Sequence, residues 1–109
     1  MTRDKAKTPA AKRARHFRDV TQTAEFLKEW DSIEASGKHN MHRLKEAMML
    51  LIANDAPLPP EWKDHRLKGD YGDVRECHAK GDLLLMYQIA TDVEEVIFLR
   101  AGTHSELLS

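Results

Sequence analysis

Three histidines and one aspartate, His65, His78, Asp82 and His104, stand outside the apolar stripes of the chain, and their types suit phosphodiester cleavage. RNA is cut without a metal when its 2′-hydroxyl attacks the adjacent phosphorus. That reaction needs a base for the 2′ proton, an acid for the leaving 5′ oxygen and cations beside the phosphoryl oxygens. Imidazole titrates near neutrality and can fill each role, while a carboxylate can act as base or orient a histidine. Arg75 and Arg100 are the natural cations, because a guanidinium meets a phosphate with two parallel N–H donors. Each residue also has a plain structural reading. Asp82 beside Gly81 is an ordinary turn residue, a lone histidine is an ordinary surface residue, and both arginines have acids enough to pair with. Strict pairing about a two-residue turn puts His78 and Asp82 on opposite faces, so their cooperation requires a bulge or a wider turn at residues 79–82.

The elements that must position these groups are legible as hydrophobic periods. Residues 15–20 fit a short edge strand. Thr21 or Thr23 then offers an N-cap oxygen, and Phe26, Leu27, Trp30 and Ile33 recur at helical spacing up to Gly37, a natural helix terminator. A second helix begins near Asn40, with Met41, Leu44, Ala47, Met48, Leu51 and Ile52 forming its stripe and Pro57, Pro59 and Pro60 stopping it. Strand-like runs follow at 74–79, 83–89 and 93–101, joined by Lys80-Gly81 and a polar turn, and together they read as an antiparallel meander. Thr103 and Glu106 stand at capping-box spacing, which opens a last short helix. The expected class is α+β: a helical hairpin packed on a small antiparallel β-sheet, with a short C-terminal helix.

With 109 residues, 41% hydrophobic and 32% charged, the chain is sized for one modest core. The division expected is a basic, disordered extension over residues 1–14 and a single domain over 15–109. No apolar run approaches the roughly 20 residues that cross a bilayer, and the basic N-terminus lacks the apolar segment of a secretory signal. Residence in the cytoplasm, with no membrane partner, is the expectation. Cys77, the lone cysteine, excludes an intrachain disulfide and a thiolate zinc site. His39 and His42 lie three apart but lack an evident third ligand, so no metal and no cofactor are called for. The net charge of −1 hides an asymmetry. Arg3, Lys5, Lys7, Lys12, Arg13, Arg15 and Arg18 crowd the beginning, either as a solvated tail or as extra phosphate contacts.

Several pieces in order carry a resemblance. The segment D-H-x-L (Asp64 to Leu67), the strand R-x-x-H (Arg75 to His78), the aspartate opening the next strand, and R-x-G-T-H (Arg100 to His104) resemble the YafQ branch of the RelE/ParE toxin superfamily, with similarity running from about Arg18 to the C-terminus. The resemblance implies a ribosome-dependent mRNA endonuclease of a type II toxin–antitoxin system, acting in the ribosomal A site and neutralised by a cognate antitoxin, with operator DNA reached only through the antitoxin complex. It implies that His65, His78, Asp82 and His104 are catalytic: Asp82 or His78 as base, His104 as general acid, His65 on the phosphate. Arg75 and Arg100 match basic sheet positions, and Leu108 occupies the place of an aromatic that stacks on a base. Leu83 likewise stands where relatives often carry Trp. The competing readings are a ParE-like toxin that binds a topoisomerase and cleaves nothing, and a catalytically weakened binding module.

Overall fold

The computed structural model describes residues 17–53, 58–69 and 72–108. The extension expected over 1–14 and the helix-stopping Pro57 lie outside the described residues. The first element is β1 (Asp19–Gln22), followed by helix α1 (Ala24–Ser36) and helix α2 (Met41–Ala53). A single 3-10 turn at Pro60–Trp62 leads to β2 (His65–Arg66), then come β3 (Arg75–Lys80), β4 (Leu83–Ala90), β5 (Glu95–Thr103) and helix α3 (His104–Leu108).

Both long helices start where their end chemistry dictates, and the same holds for the end of α1. The Thr23 hydroxyl oxygen accepts from the Phe26 N–H at 3.0 Å, and Gly37 takes φ 65 to turn the chain out of α1. Asn40 Oδ1 accepts from the N–H groups of His42 and Arg43 at 3.0 and 3.3 Å, closing the donors at the start of α2. Phe26 and Ile33 from α1 and Leu44, Ala47 and Leu51 from α2 are buried. Leu27, expected in the α1 stripe, is exposed. Its neighbour Phe26 carries the packing instead, stacking on Phe98 of β5 at 5.7 Å between ring centroids.

The sheet has the order β1-β5-β4-β3-β2. The meander β3-β4-β5 is antiparallel as expected, but the sheet is mixed, because β1 pairs with β5 in parallel. Parallel neighbours need a crossover, and α1 and α2 provide it: the chain leaves β1, crosses through both helices and returns along the meander in the original direction. The strand expected over 15–20 sits later, at Asp19–Gln22, and the one expected at 93–101 begins at Glu95, because Val93 and Glu94 form the turn, Glu94 with φ 51.

Alternation along β3 divides its side chains between two faces. Cys77 and Ala79 join Leu83, Leu85, Tyr87, Val96 and Phe98 in the core under the helices. Leu84, Met86 and Leu107 form a smaller cluster with Leu67, Val74 and Leu99 on the other face. Among the described residues, α3 covers one end of that second face through Leu107. That face leaves room for polar side chains.

Candidate active site

Two irregularities in strand pairing shape the site. His78 pairs with Leu84 and Lys80 with Leu83, so Ala79 is an extra residue in β3. This is the bulge that the spacing of His78 and Asp82 required. It is fastened from the helix side: Arg43 Nε donates to the Ala79 carbonyl at 3.1 Å, while the Arg43 guanidinium lies 3.9 Å from the centre of the buried Trp62 ring. Gly81 takes φ 59 in the turn that follows, a value open to glycine at the first position of a two-residue hairpin. A second bulge leaves Leu99 unpaired, since Met86 faces Arg100 and Tyr87 faces Phe98.

The four sequence-predicted groups come to one end of the sheet, in two sets. The first is His65, His78 and a residue that spacing did not reveal, Glu76. His65 pairs directly with Glu76 across β2 and β3, and the rings of His65 and His78 are 6.1 Å apart. His65 Nε2 lies 3.3 Å from Glu76 Oε1, and its Nδ1 donates to the Lys63 carbonyl at 2.7 Å. His78 Nδ1 donates to the Gly81 carbonyl at 3.1 Å. Glu76 is only 3% exposed, and its Oε2 has no hydrogen-bond partner among the described residues. The available signal was alternation: in Arg75-Glu76-Cys77-His78, the second and fourth residues share a face. A buried glutamate is rare enough that this face would ordinarily be assigned to solvent.

The second set is Asp82 and His104. Leu83 pairs with Thr103, and the His104 N–H donates to the Asp82 carbonyl at 3.2 Å, so the β3–β4 turn holds the start of α3. The expected capping box is present and reciprocal. Glu106 Oε1 accepts from the Thr103 N–H at 2.8 Å, and the Glu106 N–H reaches the Thr103 hydroxyl at 3.4 Å. These bonds from Thr103, backbone first, hold the Glu106 carboxyl below its usual range. Asp82 lines a cavity of about 600 Å³ beside α1, together with Glu29, His39 and Thr103. His78 lines another, of about 370 Å³, with Arg43, Lys63 and Lys80. The bulge therefore brings His78 and Asp82 to one hairpin tip without placing them in one cavity.

Both arginines are already engaged. Arg75 Nε donates to Asp64 Oδ1 at 3.3 Å, and the Tyr87 hydroxyl donates to the same oxygen at 2.5 Å. Burial, reinforced by that bond, pushes the Tyr87 phenol up, so it remains a protonated donor. Asp64 immediately precedes His65, and the three-residue network fixes the start of β2. Arg100 pairs with Glu29 of α1 through Nε at 3.1 Å, and Glu29 Oε1 also accepts from the Ala101 N–H at 3.1 Å. Each guanidinium stays about one-third exposed and keeps donors to spare. Leu83 is 1% exposed and belongs to the helix-side core. Leu108 ends α3. Burial holds the Cys77 thiol up at about 12, so it is no nucleophile.

Comparison with known proteins identifies the family. Residues 18–109 match the family described as a bacterial toxin of type II toxin–antitoxin systems, YafQ. A relative named mRNA interferase toxin YafQ, from Escherichia coli strain K12, is 34% identical over 90 residues, spanning 83% of this chain and 95% of that protein. Among solved structures, the E. coli DinJ-YafQ toxin–antitoxin complex superposes with a TM-score of 0.77 at 34% identity, covering 84% of this chain and 98% of the other. A metal-bound toxin from Helicobacter pylori superposes with a TM-score of 0.75 at 37% identity, covering 84% and 99%. The match takes in the whole sheet, both long helices and every residue of the two sets, and the chain belongs to the YafQ family of type II toxins.

Proposed function

We propose that this toxin is a ribosome-dependent mRNA endoribonuclease working by metal-independent acid–base chemistry. The observation that carries the proposal is the gathering of His65, His78, Asp82 and His104 at one end of the sheet, by strand register and by the His104–Asp82 backbone bond. Asp82 or His78 takes the 2′ proton of the bound RNA. The freed oxygen attacks phosphorus, the bond to the 5′ oxygen breaks, and His104 in its imidazolium form protonates that leaving oxygen. The products are a 2′,3′-cyclic phosphate and a free 5′-hydroxyl. His65, anchored through Nδ1, contacts the phosphate, and the spare donors of Arg75 and Arg100 face its oxygens. Leu108 packs on a base in place of an aromatic.

The two sets flank the hairpin tip rather than sharing one pocket. A nucleic acid strand laid across the tip meets both, and the ribosome is the agent that presents mRNA in that extended form. A cognate antitoxin, as in the DinJ-YafQ complex of the relative, keeps the toxin silent in the cytoplasm, and operator DNA is reached only through that complex. No helix among the described residues is long and apolar enough to cross a membrane.

The test is cleavage of one mRNA by the purified chain with and without translating ribosomes. Cuts confined to the ribosome-bound message support the proposal. Inhibition of DNA gyrase with intact mRNA supports a topoisomerase-binding toxin instead.

A further inference from the structure

The bulge in β3 decides which face of the sheet His78 occupies. Ala79 is inserted between the His78–Leu84 and Lys80–Leu83 pairs. If regular pairing ran on from Lys80 and Leu83, Ala79 would meet Leu84 and His78 would meet Leu85. Leu84 clusters with Met86 and Leu107 on the face away from the helices, whereas Leu85 lies in the helix-side core. A slip of one residue sends each side chain to the opposite face. His78 would then leave His65 and turn toward the core. Bulges beside functional sites re-aim a side chain in this way, and the extra residue loses its place in the ladder.

We propose that Arg43 is a positioning residue for RNA cleavage, fixing His78 against His65 by clamping the Ala79 bulge to Trp62. Arg43 stands in the first turn of α2, where its own N–H donates to Asn40 Oδ1 at 3.3 Å. Its guanidinium makes two contacts at once. Nε donates to the Ala79 carbonyl at 3.1 Å, and the group lies 3.9 Å from the centre of the Trp62 ring. Trp62 is 1% exposed and ends the 3-10 turn. The next residue, Lys63, takes φ 48, and its carbonyl accepts from His65 Nδ1 at 2.7 Å. One side chain therefore ties the bulge beside His78 to the turn that anchors His65, whose ring is 6.1 Å from that of His78. The task needs an N–H donor and a cation that packs on an aromatic face, and arginine supplies both. The remaining ion pair of Arg43, to Glu46 at 3.2 Å, is partly exposed and adds little. Arg43 also lines the cavity beside His78, with Lys63 and Lys80, so direct contact with RNA is the rival role. The cleavage half of the proposal rests on the nuclease reading above, and the positioning of His78 does not.

The experiment compares wild type with Arg43→Met, Arg43→Lys and Glu46→Gln, all full length. Arg43→Met keeps the stem but has neither donor nor charge. Arg43→Lys returns a donor and a cation over Trp62. Two quantities are read: cleavage of ribosome-bound mRNA against toxin concentration, and the ¹⁵N signals of the His78 imidazole at mildly alkaline pH. In Arg43→Met the rate at saturating toxin is expected to fall about tenfold or more, as misplaced reacting groups do, with the half-saturating concentration little changed. The His78 signals should shift away from the Nδ1–H form that donates to the Gly81 carbonyl. Arg43→Lys restores most of both, and Glu46→Gln alters neither. If Arg43→Met does not fold, Trp62→Phe weakens the same clamp and is read in the same way. A folded variant that only raises the half-saturating concentration, with His78 signals unmoved, assigns Arg43 to RNA contact and overturns the proposal. Wild-type rate, or lost rate with unmoved signals, overturns it equally. If wild type cleaves nothing, the nuclease reading fails, and the imidazole signals still decide whether Arg43 positions His78.

Discussion

The backbone N–H of His104 donates to the carbonyl of Asp82 at 3.2 Å, so two candidate catalytic residues far apart in sequence are held by one bond between a hairpin turn and a helix start. Neither side chain makes that bond. The position of the imidazole is therefore set by how tightly α3 turns back over β5, and Gly102 sets that turn. A Cβ on Gly102 would lie 3.0 Å from Glu106 Oε1 and 3.3 Å from Leu107 Cδ2. The Glu106 carboxylate can swing away only by giving up its bond to the Thr103 N–H.

Gly102→Ala is accordingly expected to cost about 1 kcal/mol of stability, the usual worth of a lost cap. It should reduce cleavage by more than that loss explains, because His104 shifts with the helix start. Urea denaturation beside a cleavage assay separates the two effects. A variant with wild-type cleavage shows that the α3 turn does not position the acid.

The cap also gives a pH signature. The Glu106 carboxyl is held below its usual value by the Thr103 bonds. Its contribution is therefore fully present above the ordinary carboxylate pKa and is lost as pH falls through the lowered one. The difference in Tm between wild type and Glu106→Gln is expected to be constant near neutrality and to shrink in acid. A difference that grows in acid contradicts the capping role.

Tyr87→Phe tests the anchor beneath His65. The phenol donates to Asp64, which also holds Arg75 and leads directly into β2. Loss of a hydrogen bond to a charged group costs about 1.5–3 kcal/mol, and the His65 segment should loosen with it. Expected are a lower denaturation midpoint and a modest loss of cleavage. Unchanged values for both mean that Asp64 is satisfied without the phenol.

Much of this architecture is legible from local chemistry. The Thr23 and Asn40 caps, the Gly37 stop, the meander and the Thr103–Glu106 box each depend on neighbours in sequence, and each is where the residues place it. What the sequence hides is non-local. The parallel pairing of β1 depends on the crossover route, and the two-residue β2 is too short to show a period. The Ala79 bulge is required by the spacing of His78 and Asp82, but it is held by Arg43 from a distant helix. Alternation puts Glu76 on the face of His78, but its burial depends on pairing with the distant His65 strand and is not announced by its neighbours in sequence. Arg75 and Arg100 were legible as cations, yet their partners Asp64 and Glu29 come from other elements.

The most direct measurement is primer extension on a translated reporter mRNA, with wild type beside Asp82→Ala and His104→Ala. Expected are discrete cuts that need ribosomes in the wild type and vanish in both variants, each still folded by circular dichroism. Cuts that persist in folded variants would contradict the assignment of base and acid, and intact mRNA with folded wild type would contradict the nuclease itself.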